Sequence, residues 1–450
     1  MHLPYLRRAL RRRSPPFPPY AAIAIPIPRP FSSAALPAHA PHAARHAPPP
    51  PPVIMPTRPW GEALAAAQRA FCVPLAGRAL AASATGNAAV SPAAVHAALA
   101  LAAAGARGAT RRQIVQALCG GGCGGGGGAA ADAANVASRV VKRVLRNRST
   151  SGGPRLGFAA GVWADASTRL SPAFVDAAGH VYGSAAKAAD FKNKPADAAG
   201  KINSWIEEST KGTVTSLLTE GSVDQNTGLV LGSALYFTGR WLDRPDVRRT
   251  AVQRFHCLDG TFVEVPFVEY DRTRLFAVHE GFKVIKLPYQ KGQSERKFSM
   301  YIFLPDAQDG LFELTTKIFS EPTFLEQHLP TEKHYVDISV PKFRIAFQID
   351  VKDFLKEMGL ELPFLREADF SDMVKEDGSS GPLFLSDVPH RAILEINDTG
   401  VEETSVTLGL GKPSPTEHFV ADHPFFFVVR EEVSGTIVFM GHVLDPSSES

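Results

Sequence analysis

Gly228-Leu229-Val230-Leu231-Gly232-Ser233-Ala234-Leu235-Tyr236-Phe237 is a run without a charge and with almost no polar alternation. A strand with one wet face alternates, so an unbroken apolar run of this length reads as a strand buried on both faces. The run also divides the chain. Upstream, apolar residues recur at helical spacing. Downstream, they gather in β-rich runs at residues 262–268, 282–289, 297–304 and 336–347, with one more helix over 351–358 closed by Gly359. Helices early and strands late, around a strand with two covered faces, predict an α+β domain with large antiparallel sheets.

Working outward, the helix signals upstream have physical causes. Residues 63–82 are Ala-rich with Phe71, Val73 and Leu75 and predict a first helix. Ser91-Pro92 then opens an apolar run that Gly105 stops. The serine hydroxyl can take an orphan N–H of the first turn, and proline has no N–H to lose there. Thr110 and Gln113 have capping-box spacing and start a helix through Ile114 and Leu118. Ser171-Pro172 repeats the start signal for a helix to Tyr182, and residues 197–211 place Ile202, Trp205 and Ile206 on one face. Gly120 to Gly128, interrupted by Cys123, has no contacts to order it and reads as an expanded surface loop.

Residues 1–60 are a different material, with Arg7, Arg8, Arg11, Arg12, Arg13, Arg29, Arg45 and Arg58, no lysine and no acid. Without those eight arginines the formal net charge goes from +3 to −5. Basicity therefore belongs to the tail, and the body carries no nucleic-acid footprint. Three readings of the tail stay open: an organellar transit segment, Pro-rich disorder, or a functional start at Met55. No stretch approaches the length of a membrane span. Cys72, Cys119, Cys123 and Cys257 form no metal-ligand framework and read as free thiols. Sequons at Asn147 and Asn397 would matter only in a secreted chain.

Catalytic patterns are missing. There is no Gly-x-Ser-x-Gly elbow, no His-Glu-x-x-His and no phosphate loop on a strand-to-helix turn. His279-Glu280 and Asp422-His423 are adjacent, and neighbours in a strand face opposite ways and do not share a proton, so both pairs read as structural. One stretch lacks a core pattern altogether. Between the strand-like residues 393–397 and 425–429, the chain is small, polar and punctuated by Gly and Pro, which marks a functional loop or a linker.

In order and spacing, several segments resemble the serpins, and among them the plant serpins: residues 87–92, 202–207, 234–241, 340–345, 368–371, 419–425 and 439–443. The resemblance covers most of the chain. It implies a serpin fold of about eight or nine helices on three mostly antiparallel sheets with an exposed reactive-centre loop. It also implies one domain over 61–446, a Gly-rich insertion near 120–128 and a short tail at 447–450. A monomeric endopeptidase inhibitor is expected, without cofactor, metal, nucleic acid or membrane, in the extracellular space or cytoplasm, or in an organelle if the Arg-rich tail is a transit peptide. Its partner would be a serine or cysteine protease, trapped when the cut loop inserts as a new strand.

Within that loop the resemblance makes Gly400, Val401, Glu402, Glu403, Thr404, Ser405, Val406 and Thr407 the hinge, and Lys412, Leu410 and Ser414 the candidate P1 residues. Ser91, Ser233 and Trp241 would stand where the sheet parts. Inhibitory members carry small residues in the hinge, whereas alternation here sends Glu403 inward with Val401, Ser405 and Thr407. Lys412-Pro413 and Ser414-Pro415 are poor bonds for a protease, and Leu410-Gly411 suits a chymotrypsin-like or elastase-like one. Ser233 stands where the family has Asn. The alternative is therefore a non-inhibitory serpin-fold binding protein, or a protease substrate.

Overall fold

The computed structural model describes residues 59–119, 127–242, 250–321, 323–375, 382–396 and 417–449. Among these the helices are α1 (Pro59–Ala81), α2 (Pro92–Gly105), α3 (Gly108–Leu118), α4 (Gly127–Arg139), α5 (Pro172–His180), α6 (Pro195–Ser209), α7 (Leu311–Ser320), α8 (Phe324–Gln327) and α9 (Lys352–Glu357). The strands are β1 (Ala88–Val90), β2 (Arg155–Asp165), β3 (Ala185–Ala189), β4 (Leu229–Thr238), β5 (Thr250–His256), β6 (Phe262–His279), β7 (Phe282–Pro288) and β8 (Phe298–Pro305). They continue as β9 (Lys333–Pro341), β10 (Phe343–Asp350), β11 (Leu385–Asp387), β12 (Pro389–Ile396), β13 (Glu417–Val420), β14 (Phe425–Glu431) and β15 (Thr436–Val443).

The opening run becomes β4, buried along nearly its whole length in the order β10-β12-β4-β2-β3, with β11 also alongside it. Its inner side chains, Leu235 and Phe237, join Leu394 and Ile396 of β12 against Ile302, Phe427 and Phe439 of the second layer. On the outer face α6 lays Ile202 and Ile206 over Val230, Ala234 and Ile393. Two covers explain the lack of alternation. The second layer runs β1-β15-β14-β8-β7-β6-β9-β13, with β5 beside β6. It comprises two of the three expected sheets, joined because β6 spans both, pairing with β5 and β9 early and β7 late.

Several local expectations are corrected. Residues 336–347 are two strands, β9 and β10, in different sheets, separated at Lys342. Thr110 lies inside α3, whose N-cap is Arg107, because its hydroxyl is taken by the N–H of Asp369 at 2.9 Å. Ser171 caps α5 by position without a side-chain bond. Gly127 and Gly128, read as loop, open α4, while residues 120–126 and Cys123 lie outside the described residues, as do residues 1–58. Cys119 is disulfide-bonded rather than a free thiol, and Cys72 and Cys257 are free. Beyond α4 the helix passes into one π-helical turn, Val140–Leu145, whose end is held by the Arg296 guanidinium donating to the Val144 and Arg146 carbonyls at 2.7 and 2.8 Å. Glu449 reaches the edge of β10, where its carbonyl accepts from the Ala346 N–H at 3.1 Å. No described helix is long and apolar enough to cross a membrane.

Candidate functional site

The loop expected from sequence starts where β12 ends at Ile396 and returns in β13 at Glu417, in the other layer. The hinge residues Gly400 to Thr407 and the candidates Leu410, Lys412 and Ser414 lie outside the described residues. What the structure describes is the place such a loop would have to enter. There β12 and β4 pair directly and in parallel, from His390 opposite Ser233 to Glu395 opposite Thr238. A strand folding back from the end of β12 into this seam would run antiparallel to both neighbours.

On the inner face the seam is fastened through His390, a fully buried residue that the sequence reading missed. The Ser91 N–H donates to His390 Nε2 at 2.9 Å, and Ser233 Oγ lies 2.9 Å from His390 Nδ1. Since a backbone N–H can only donate, Nε2 must be the bare nitrogen and Nδ1 carries the proton toward Ser233. A second proton would point at the Ser91 N–H. In accord with this, burial pushes the His390 pKa down to about 4. Ser91 also caps α2, accepting from the Ala94 N–H at 3.3 Å. Two of the singled-out serines thus meet on one imidazole, and Ser233 reaches it with a hydroxyl where the family pattern has an amide.

Trp241 sits elsewhere, just past the far end of β4. Its ring stacks on Tyr289 at 4.6 Å and 17°, and Tyr289 meets Phe237 edge-on at 5.1 Å. Gly239 permits the approach, since a Cβ there would come within 2.8 Å of the Tyr289 ring. The outer face carries a strap. Asn203 of α6 accepts from the Leu217 and Leu218 N–H groups and donates to the Leu218 carbonyl, all at 2.8–2.9 Å. Arg391 of β12 then bonds Ser216 at 2.9 Å and Gln348 of β10 at 2.6 Å. Separation of β4 from β12 therefore disturbs groups on both faces.

The adjacent acid/base pairs stay structural, although one geometry differs from expectation. Asp422 and His423 lie in the turn between β13 and β14 rather than in a strand, so they do touch, Nδ1 to Oδ1 at 2.8 Å. The other ring nitrogen is 2.7 Å from the Pro305 carbonyl, which uses up the imidazole. His279 stacks on Phe282 and faces the His328 carbonyl at 3.2 Å. No group of three or more His, Cys, Asp or Glu among the described residues could hold a metal ion.

Comparison with known proteins accounts for this geometry. The family model for serpins, serine protease inhibitors, matches residues 66–446. The chain is similar to "Probable non-inhibitory serpin-Z9" of Oryza sativa subsp. japonica, 76% identical over 397 residues, 88% of this chain and 90% of that one. It is also similar to rice Serpin-ZXA, 44% identical over 365 residues, 80% of this chain and 90% of that one. Among solved structures, Arabidopsis AtSerpin1 in its native stressed conformation aligns with a TM-score of 0.78 at 35% identity, over 86% of this chain and 99% of that one.

Proposed function

The chain belongs to the serpin family and is not an enzyme; from that premise we propose that it is a non-inhibitory member, cut by a serine or cysteine protease within residues 397–416 without trapping it. The adjacent glutamates carry this reading. Neighbours in a strand face opposite sides, so in whichever register the loop entered the β4–β12 seam, either Glu402 or Glu403 would face the inner wall. Toward the loop end that wall is built of Leu235, Phe237, Ala392 and Leu394, all fully buried, with Ser233 and His390 at its other end. A carboxylate enters such a wall only by giving up its charge or finding a partner, at a cost of several kcal/mol. Trapping is a race between insertion and deacylation, so a slow insertion releases the protease. The name of the rice relative, "Probable non-inhibitory serpin-Z9", accords with it.

The trapping inhibitor is the second reading, favoured by the direct pairing of β4 with β12, which leaves a seam able to receive a strand. The two readings separate on melting temperature. The loop is nicked with a chymotrypsin-like protease, and intact and nicked protein are melted side by side. A change of a few degrees is the expected result; a rise of tens of degrees, the mark of a strand newly paired on both sides, would overturn it.

A further inference from the structure

The inner face of the seam is fastened at His390, at the start of the shared ladder. Its outer face is fastened at the other end. Tyr236 Oη donates to Glu395 Oε2 at 2.6 Å, and Thr238 Oγ1 donates to the Glu395 main-chain carbonyl at 3.2 Å. Both bonds cross from β4 to β12, in the last two outward-facing positions of the ladder, where Tyr236 stands opposite Ile393 and Thr238 opposite Glu395. One residue further on β12 ends, at Ile396, where the loop expected from the sequence begins.

We propose that the Tyr236–Glu395 pair is a latch that sets how readily β4 and β12 part at the loop end of the seam. Adjacent strands lie ~4.8 Å apart, so admitting one more strand doubles their separation to roughly 9.6 Å. A 2.6 Å bond does not survive that movement. Besides Glu395, the phenol hydroxyl meets the Thr238 hydroxyl, two residues on in its own strand, a contact that does not cross the seam. The Tyr236 ring packs beneath α6 in the same cluster as Ala234 and Ile393, where a phenylalanine ring would fill the same space. Only the oxygen distinguishes the two side chains, and Glu395 is the group across the seam that the oxygen touches. Burial, then Glu395, pushes the phenol up to about 12, so it remains a donor throughout the physiological range. The Arg155 guanidinium, 5.8 Å from the ring centroid, keeps a cation on the same side. The latch is independent of whether the cut loop traps a protease. It concerns the opening of the seam in the intact protein, before any cut.

Amide hydrogen exchange of the intact, uncleaved protein tests it, so its failure and that of the non-inhibitory reading are distinct. In Tyr236→Phe, amides of 233–238 and 390–395 are expected to exchange about tenfold faster, the loss of one charge-assisted bond. Amides of α7, which packs on Phe303 and Phe426 in a separate cluster, should exchange at wild-type rates. Glu395→Gln, which keeps an acceptor but not the charge, should give a smaller increase, and the double variant no more than Tyr236→Phe alone. Unchanged seam amides in Tyr236→Phe, or an equal rise in every strand from general destabilisation, would overturn the latch. If Tyr236→Phe does not fold, the same comparison made on Glu395→Gln decides, with unchanged or uniformly faster exchange counting against it.

Discussion

Glu403→Ala should convert loop cleavage from a neutral event into a stabilising one. In the expected register Val401, Glu403, Ser405 and Thr407 face the inner wall, and Glu402 faces the α6 side. At the loop end the wall offers Leu235, Phe237, Ala392 and Leu394, without a polar atom in their side chains, and Ser233 and His390 stand only at its other end. A carboxylate with an ordinary pKa of about 4.3 reaches such a place at pH 7.4 only protonated, which takes about three pH units at ~1.36 kcal/mol each, so about 4 kcal/mol. That is roughly a thousandfold in the equilibrium between a cut loop left outside and one inserted. Alanine removes the whole penalty and keeps the backbone. The assay is calorimetric melting of intact and nicked protein for wild type, Glu402→Ala and Glu403→Ala. Nicked Glu403→Ala should melt at least roughly 5 °C above nicked wild type, whereas nicked Glu402→Ala should follow wild type. Equal shifts in the two variants would refute the assigned faces, and no shift in either would refute the burial argument itself.

Other consequences follow from the described residues. The His390 pKa is pushed down to about 4 in the folded protein against about 6.5 for a free imidazole, so the unfolded chain takes up the proton first and stability falls as pH drops from about 6.5 to 4, by up to about 3 kcal/mol. His96, also pushed down to about 4, and His279 and His442, also pushed down by burial, act in the same direction, so His390→Asn should reduce this slope without abolishing it in urea titrations at pH 7 and 4.5. Trp241→Ala should cost about 3–5 kcal/mol in the same measurement, having emptied a buried site stacked on Tyr289. Asn87 accepts from the Leu444 and Asp445 N–H groups and donates to the Asp445 and Ser448 carbonyls. Asn87→Ala should therefore cost about 2–4 kcal/mol and free the C-terminal segment to rapid exchange.

Much of the scaffold was legible because its signals are local. The apolar run of β4 announced two covered faces, and Ser91-Pro92 announced the start of α2 through a hydroxyl and a missing N–H. Several of the misreadings share a cause, competition from residues far along the chain. Thr110 had capping-box spacing, but the N–H of Asp369, 259 residues away, claims its hydroxyl. The π-helical turn at Val140–Leu145 carries no pattern of its own, and its end is set by Arg296, about 150 residues on. His390 was invisible for the same reason. It is a lone histidine after a proline, and only the register of β12 on β4 brings it between Ser91 and Ser233. The Tyr236–Glu395 bond likewise spans 159 residues. The loop itself was legible only as an interruption, and the two glutamates within it were legible as chemistry because alternation alone decides that one of them must face inward.

The most direct test of a cut that does not trap is a denaturing gel. Wild-type protein is incubated with a chymotrypsin-like, a trypsin-like and a papain-like protease at equal molar ratio, and the products are read for mass and for the new N-terminus. The account predicts a single cut between residues 408 and 415, active protease left over, and no band at the summed mass of protein and protease. An SDS-stable band at that mass with any of the three would contradict it.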